Sequence, residues 1–310
     1  MGSATSEAWA TLKTGGNSKK PTRLRVPIHS VEEFVAFIAE NSNPWTETVY
    51  RGQENLNWGT VASIFRQSGN YLPYEHDMMR DLMAYHPQEF QQDATMFDRL
   101  VRMQHYGLPT RLVDVSLNPL VALYFACETH RADGKETAGS VIAYHVPANR
   151  TRYYDSNTVA LLANLSNLAD EHKKELRDIA DSDFNIFNES NAARRLVRFI
   201  RHEKPHFENA IQAQDLFRPL YVRPRLSNKR IIAQSGAFLI YGLPTASSSK
   251  RYERTIKQLV VDIPADKKSS IREQLNLFAI NSSTLFPEID KAASVIKAKY
   301  TNKAFFDLDL

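Results

Sequence analysis

The stretch from residue 104 to residue 126 constrains this chain more than any other part of the sequence. Its first half places His105, Thr110, Arg111 and Asp114 within ten positions, next to glycine and proline. Its second half begins with Asn118-Pro119, a favourable N-cap followed by a residue suited to the first helical position. The following residues are apolar on almost all sides, which predicts a buried helix. Reactive groups on a loop above a rigid helix are typical of functional sites.

Length and composition are those of a globular protein. A chain of 310 residues with 43% hydrophobic and 24% charged residues can bury a large core in one or two domains. No apolar run is long enough to span a membrane, and the N-terminal segment lacks the apolar core of a signal peptide. We therefore expect no membrane association and a cytoplasmic location. The single cysteine, Cys127, cannot form an internal disulfide and is expected to be a core residue.

The basic charge is concentrated in the N-terminal segment. Residues 1–30 contain five lysines and arginines and one glutamate, which equals the net charge of +4 of the whole chain. The remaining residues are formally neutral, so the basic pI is weak evidence for a nucleic-acid-binding body. We predict a disordered basic leader over residues 1–22 and a single domain over residues 23–310, with a helical insert at about 155–204.

Periodicity and capping residues predict an α+β fold, because helices and strands do not alternate regularly. Helices are predicted at residues 30–40, 75–85, 89–105, 119–126, 158–180, 191–202, 266–280 and 288–300. Strands are predicted at residues 46–51, 139–146, 221–222, 230–241 and 256–263. A capping box is predicted to start the first of these helices, at Ser30.

The central stretch reads Gln-His-Tyr-Gly-Leu-Pro-Thr-Arg-Leu, then Asp, then Asn-Pro-Leu-Val-Ala-Leu-Tyr-Phe-Ala. It closely resembles the signature of the FRG domain family, which is named for an aromatic-Arg-Gly motif. That motif stands upstream as Tyr50-Arg51-Gly52-Gln53. Shorter matches occur at Ile64-Phe65-Arg66, Glu75, Gln234-x-Gly236-x-Phe238 and Leu285-Phe286-Pro287-Glu288-Ile289-Asp290. The resemblance implies an intracellular toxin or antiviral effector, for which a neutralising antitoxin is a possible partner.

A weaker resemblance links the chain to ADP-ribosyltransferases. An Arg-Gly at the end of a first strand is similar to their opening motif, and Ser116 before an Ala-x-x-Phe-type helix is similar to their second. Their third motif would correspond to Gln234-Ser235-Gly236, but Gly236 stands where those enzymes carry a catalytic glutamate. The resemblance implies a mixed or antiparallel sheet core, an extensive helical portion and NAD as the substrate that the protein binds. The acceptor would be a nucleic acid or a protein.

The resemblance also implies roles for individual residues. The predicted catalytic residues are His105 as acid, base or donor, Asp114 as the negative charge near the ribose, Arg51 as the phosphate or ribose ligand, and Gln234. Glu75 is the second choice for the acid. The predicted NAD-binding residues are Arg51, Gly52, Gln53, His105, Tyr106, Arg111 and Ser116.

Other interpretations remain open. Asp114 would alternatively form a salt bridge with Arg111 that shapes the loop, and Glu75 would be a solvated helix-end carboxylate. The whole protein would alternatively be a binding module for a nucleotide or nucleic acid, an interpretation that Gly236 favours. A third hypothesis is a nuclease-type toxin that uses His105 with Arg111. Histidines and cysteine lack zinc-site spacing, and neither a phosphate-binding loop nor a dinucleotide fingerprint is present, so no metal is predicted.

Overall fold

The fold is known from a computed structural model that describes residues 25–42, 46–66, 70–226, 228–244 and 256–287, together with positions 293 and 297. The predicted basic leader lies outside these residues. So does the predicted helix at 288–300, apart from positions 293 and 297. Within the part of the chain that is described, no helix combines the length and the apolar character needed to cross a membrane.

Eight strands form one mixed sheet, which confirms the predicted α+β class. The described residues contain ten strands in all, which are β1 (Arg25–Pro27), β2 (Glu47–Gln53), β3 (Leu112–Ser116), β4 (Arg131–Ala132), β5 (Lys135–Glu136), β6 (Gly139–Val146), β7 (Thr151–Tyr153), β8 (Leu220–Arg223), β9 (Gly236–Ile240) and β10 (Lys257–Ile263). In the large sheet the order is β1-β10-β6-β2-β3-β9-β8-β7, while β4 and β5 form a separate ribbon. The outermost pairs, β1 with β10 and β7 with β8, are parallel, and the inner pairs are antiparallel.

Helices account for most of the remaining described structure. They are α1 (Val31–Glu40), α2 (Glu75–Tyr85), α3 (Met96–His105), α4 (Pro119–Ala126), α5 (Asn157–Asn164), α6 (Asp170–Asp178), α7 (Phe184–Glu189), α8 (Asn191–Arg201), α9 (Lys229–Ala233), α10 (Lys268–Leu277) and α11 (Ser282–Leu285).

Two groups of helices pack on the same face of the sheet. One apolar cluster joins α1, α4 and α10 to β2, β6 and β10, with Tyr50 among its buried residues. The other joins α3, α5 and α8 to β3, β8 and β9, with Leu112 among its buried residues. Tyr50 lies directly opposite Ser116 on β3, and residues opposite each other in a sheet point to the same side, as do alternate residues along a strand. Leu112, Ser116 and Tyr50 therefore share a face, and a cleft separates the two helical groups above it.

The sheet is weakest at the position below this cleft. β2 and β3 are paired only where Tyr50 meets Ser116, whereas β2 follows β6 over its whole length. Beyond that pair the two strands diverge. The sheet thus has an opening between its two halves, in the same place where the two helical groups part.

Several predicted boundaries are confirmed. Ser30 caps α1 by accepting a hydrogen bond from the Glu33 backbone, and α1 ends at Glu40 as predicted. The predicted capping box is not completed, because the Glu33 side chain accepts from the His29 backbone instead. α2 and β6 have the predicted limits. Asn118 caps α4, and Pro119 is its first residue.

Other boundaries were predicted wrongly. The helix predicted at 89–105 starts only at Met96, because Thr95 and Asp98 form a reciprocal capping box there. The helix predicted at 158–180 is interrupted after Asn164 by a 3-10 turn and two extended residues, Leu168 and Ala169, and resumes as α6. Asp266 does not cap a helix, since α10 begins at Lys268.

The segment predicted as one strand at 230–241 also folds differently. Asn228 accepts from the Arg230 backbone and starts the short helix α9, which precedes β9. Ser235, with φ of 46°, makes the turn between them. This helix contributes a wall to the cavity described next.

Candidate functional site

A cavity of about 240 Å³ occupies the cleft between the two helical groups. Its floor is formed by β2, β3 and β9, and its walls come from α3, α4 and α9. Six of the predicted site residues line it, and they are Arg51, Gly52, His105, Asp114, Ser116 and Gln234. Segments that are far apart in the chain therefore converge on one polar cavity next to α4.

Arg51 bridges the opening in the sheet. Its Nη1 donates to the Asp114 carbonyl oxygen at 2.9 Å, across the position where β2 and β3 diverge. Among the residues that the structure describes, no carboxylate forms an ion pair with Arg51. Its remaining guanidinium donors are available to an anionic ligand, which guanidinium groups bind through two parallel hydrogen bonds.

The Asp114 carboxylate is held by an amide from α3. Gln104 Nε2 donates to Asp114 Oδ2 at 2.7 Å. Gln104 Oε1 in turn accepts from the Thr110 hydroxyl, which fixes the orientation of the amide. Thr110 is fully buried, and its backbone NH donates to Ser63 Oγ at 3.0 Å. A chain of hydrogen bonds thus leads from the core to a carboxylate that is exposed in the cavity.

Gly52 is required by the packing of α4 on the sheet. A Cβ atom at this position would lie 1.9 Å from the Ala122 carbonyl oxygen and 2.8 Å from Phe125 Cβ. Only glycine allows α4 to approach β2 this closely. The Arg-Gly motif therefore combines a cavity-lining arginine with the contact that places α4 beside it.

Ser116 and Gln234 are engaged in contacts between strands and loops. Ser116 Oγ donates to the Gln234 carbonyl oxygen at 2.7 Å and accepts from the Asn118 backbone at 3.0 Å. Gln234 Nε2 donates to the Leu285 carbonyl oxygen at 3.0 Å. Both residues line the cavity, but these hydrogen bonds already use the Ser116 hydroxyl donor and one N–H donor of the Gln234 side-chain amide.

His105 lies in the last turn of α3, where it lines the cavity and is exposed. Tyr106 follows it but does not line the cavity. The Tyr106 ring meets the His105 ring edge-on at 5.2 Å, and its hydroxyl donates to Glu89 at 3.3 Å. The NAD contact predicted for the Tyr106-Gly107 backbone is thus not supported, because neither residue lines the cavity.

Arg111 was predicted to bind NAD, and the structure corrects this prediction. Its side chain is fully buried and paired with Glu75, with Lys173 on the other side of the same carboxylate. The predicted alternative, a salt bridge between Arg111 and Asp114, is also wrong, because Glu75 takes that place. Glu75 is neither a solvated helix end nor an acid of the cavity, and the nuclease hypothesis loses the pairing of His105 with Arg111.

Gln53 is likewise outside the cavity. It is buried, and its Nε2 donates to the Gly59 carbonyl oxygen at 3.1 Å. It therefore holds the loop that follows β2, instead of contacting a ligand as predicted.

Gln104, Arg230 and Phe125 are among the cavity residues that were not assigned to the site from the sequence. Gln104 belongs to the central stretch, but its sequence position gives no sign that it contacts Asp114. The Arg230 guanidinium lies over the Phe286 ring, 5.0 Å from its centre. Arg230 was hidden in a segment predicted to be strand, and its place on α9 is what brings it to the cavity.

A wider groove of about 530 Å³ opens beside the cavity. The two spaces share Val101 and His105 of α3 with Asn228, Arg230 and Ile231 of the α9 segment. His105 and Arg230 consequently stand at the boundary between them.

The family model of the FRG domain matches residues 46–135, which is 90 of the 310 residues. No curated protein and no solved structure gives a significant match to the chain. The matched segment contains Arg51, Gly52, Gln104, His105 and Asp114, and it ends before β9 and α9. Residues 46–135 thus match the FRG domain. This segment contains β2, α3, β3 and α4, all of which line the cavity.

Proposed function

We propose that this protein is an NAD-using ADP-ribosyltransferase-like enzyme that acts as a toxin or antiviral defence effector on a nucleic-acid or protein acceptor. The observation that carries the proposal is the convergence of Arg51, His105 and Asp114 on one cavity at the opening of the sheet. These groups supply what transfer of a ribosyl group needs, which is a phosphate ligand, a proton acceptor and a fixed negative charge.

Asp114 is placed where its carboxylate could take the role of the glutamate that Gly236 replaces. Gly236 pairs with Ser116, and Asp114 lies two residues further along β3 on the same face. A Cβ atom on Gly236 would lie 3.4 Å from the Ile231 backbone, so a side chain there would be in contact with α9. The carboxylate that faces this cavity comes from the neighbouring strand.

NAD supplies a ribose carbon that becomes electrophilic as its bond to nicotinamide weakens. In the proposed reaction an acceptor nucleophile forms a bond to that carbon, the carbon–nitrogen bond breaks, and nicotinamide leaves with the bonding electron pair. Asp114 stabilises the positive charge that develops on the ribose, because its carboxylate is held in place by Gln104. His105 removes the proton from the acceptor, and Arg51 binds phosphate oxygens.

The test is incubation of the purified protein with NAD, with and without single-stranded DNA, RNA and cell protein, followed by mass spectrometry. We expect release of nicotinamide and an ADP-ribose adduct on one acceptor class. Arg51→Ala, His105→Ala and Asp114→Asn should abolish both while the melting temperature stays close to wild type. Asp77→Asn, on an exposed position of α2, is the matched control. Neither product from the wild type, and no thermal shift with NAD, would overturn the proposal.

A second candidate is a binding module that holds NAD or a nucleotide without turnover. The absence of a carboxylate at Gly236 and the hydrogen bond from Gln234 to Leu285 favour it, because both remove candidate catalytic groups from β9 and its turn. It predicts a thermal shift with NAD that Arg51→Ala abolishes, without nicotinamide release.

A further inference from the structure

The groove beside the cavity has a strongly cationic wall. Arg225, Lys229 and Arg230 all come from the segment that leads into and forms α9, and all three line the groove. Arg225 lies over the Tyr154 ring at 5.8 Å and Arg230 over the Phe286 ring, while Lys229 is exposed. Within the described ranges, none of the three has a carboxylate partner.

The acidic residues of the opposite wall do not compensate this charge. Asp93 accepts from Arg102 at 2.7 Å and 2.9 Å, so these two side chains neutralise each other. Among the described residues, the Asp98 carboxylate is bonded only to the neutral Thr95 in the capping box of α3, so its single negative charge stands against three cations. The groove thus has a surplus of positive charge in a chain whose residues 31–310 are formally neutral. Concentrated charge of one sign on one wall favours a ligand that carries several negative charges.

The groove also has apolar surfaces beside the cations. Val101 and Ile231 lie at its boundary with the cavity, and Pro224 and Pro287 lie further out. The groove has cations along one wall and apolar side chains close to them. This arrangement matches a nucleotide strand, whose bases lie next to its phosphates. An acidic peptide would match the cations but has no planar apolar groups at regular spacing.

We propose that the groove binds a single nucleic-acid strand and presents one of its bases, as the acceptor, to the ribose held in the cavity. This rests on the proposed function. His105 lines both spaces, so a base that enters from the groove meets this proton acceptor at the boundary. A nitrogen or oxygen of the base bonds to the ribose carbon, nicotinamide leaves, and the proton of the base passes to His105.

A single strand is expected instead of a duplex. Enzymes that modify a base act on single strands or extract the base from the stack, because the reactive atom is inaccessible inside a helix. The proposed reacting position lies in the cavity, beyond the boundary that His105 and Arg230 form with the groove. A base that is already unstacked reaches it without the cost of unpairing, which amounts to a few kcal/mol.

The experiment compares wild type with the charge reversals Arg225→Glu and Lys229→Glu. Fluorescence anisotropy measures binding of labelled single-stranded DNA and RNA, and mass spectrometry measures ADP-ribose adducts on the same oligonucleotides. We expect each reversal to weaken strand binding by about tenfold or more and to reduce the dependence of binding on salt. Nicotinamide release to water in the absence of acceptor should stay within about twofold of wild type, since the cavity is unchanged. Lys135→Glu, on the exposed β5, is the control reversal outside the groove.

The outcomes separate this proposal from the proposed function. Nicotinamide release without any strand binding, or strand binding that both reversals leave unchanged, would overturn the groove assignment alone. Adducts on protein but not on oligonucleotides would do the same. If the reversals instead raise the KM for NAD, the groove holds the donor and the assignment is also overturned. Strand binding without any reaction of NAD would count against the proposed function, while the reversals would still test the groove.

Discussion

Arg111 and Glu75 form a two-point ion pair in which neither side chain is exposed to solvent. Arg111 Nε donates to Glu75 Oε1 at 2.9 Å, and its Nη2 donates to Oε2. Lys173 Nζ donates to the same Oε2 at 2.6 Å, and Arg111 Nη1 donates to the Tyr241 carbonyl oxygen at 3.0 Å. This cluster ties α2, α6 and the end of β9 to the loop that precedes Asp114. None of the three charged residues lines the cavity, so the cluster supports the site through the backbone segments that it joins.

Removing the anion from this cluster should strongly destabilise the protein. In Glu75→Gln, the buried Arg111 and Lys173 would face each other without a carboxylate between them. Breaking one partner of a buried ion pair costs about 3–5 kcal/mol. Urea denaturation followed by circular dichroism measures the free energy of unfolding. Asp77→Asn, two residues along α2 and exposed, should change it by less than about 0.5 kcal/mol. A loss for Glu75→Gln as small as that of the control would contradict the structural role.

The same cluster makes stability depend on pH. Burial raises the pKa of Glu75, but Arg111 and then Lys173 outweigh it and hold the pKa below the ordinary value of 4.5. A carboxylate with a lowered folded-state pKa contributes stability that is complete above its unfolded-state pKa and is lost as the pH falls. The free-energy difference between wild type and Glu75→Gln should therefore be largest near pH 7 and shrink below pH 4.5. Denaturation curves at several pH values measure it, and an equal difference throughout would refute this linkage.

Gly52→Ala tests the close packing of α4 on β2. The added Cβ would lie 1.9 Å from the Ala122 carbonyl oxygen, so the helix must move away from the strand. Overpacking of this kind costs about 1–3 kcal/mol or more. The melting temperature should fall, and the cavity should change because Ala122 and Phe125 line it. Gly59→Ala is the matched control, since its Cβ would meet no atom closer than 3.8 Å. Equal melting temperatures for the two variants would contradict the packing explanation.

Much of the fold could be predicted where local signals agree with tertiary packing. Ser30 and Asn118 are strong N-caps. The residues of β6 are mostly apolar on both sides of the strand, which predicts a buried strand. The segment at 230–241 was mispredicted because its isoleucines favour a strand, whereas the Asn228 cap and the turn at Ser235 produce α9. Whether this segment forms a helix or a strand also depends on the contacts of α9 with α11 and Phe286, which no local sequence pattern shows.

The site was predictable in part for a similar reason. The arginine, histidine and aspartate motifs marked the segments that meet in the cavity. The partner of Arg111 could not be identified, because Glu75 lies 36 positions and Lys173 62 positions away along the chain. The sequence alone does not distinguish a loop arginine that binds a ligand from one that is buried in an ion pair. Only the fold distinguishes Arg51, without a carboxylate partner among the described residues, from Arg111.

Cys127, the only cysteine of the chain, should report on the integrity of α4. It is fully buried at the end of this helix, and burial raises the pKa of its thiol to about 12. Because the thiolate is the reactive form, a maleimide at pH 7 should label the folded protein far more slowly than the protein in urea. Mass spectrometry of the labelled chain measures both rates. Labelling of the folded protein as fast as in urea would show that α4 does not stay packed on the sheet.

Gln104→Ala tests whether this amide positions the Asp114 carboxylate. Loss of the 2.7 Å hydrogen bond leaves Asp114 free to rotate away from the ribose position. Replacing a residue that orients a functional side chain lowers activity or affinity by about 10–100-fold. Under the proposed function, we expect kcat for nicotinamide release to fall in this range with little change in the KM for NAD, because Arg51, the proposed phosphate ligand, is unchanged.

Thr110 should act through the same amide. Its hydroxyl donates to Gln104 Oε1, so Thr110→Val should lower kcat in the same direction. The double variant should lose no more activity than Gln104→Ala alone, because residues that act in one chain of hydrogen bonds are not additive. A purely structural role would instead lower the melting temperature of each variant and leave kcat of the folded fraction unchanged. Additive losses in kcat would show that Thr110 and Gln104 act on the site separately, and the chain from Thr110 to Asp114 would then have no role in the reaction.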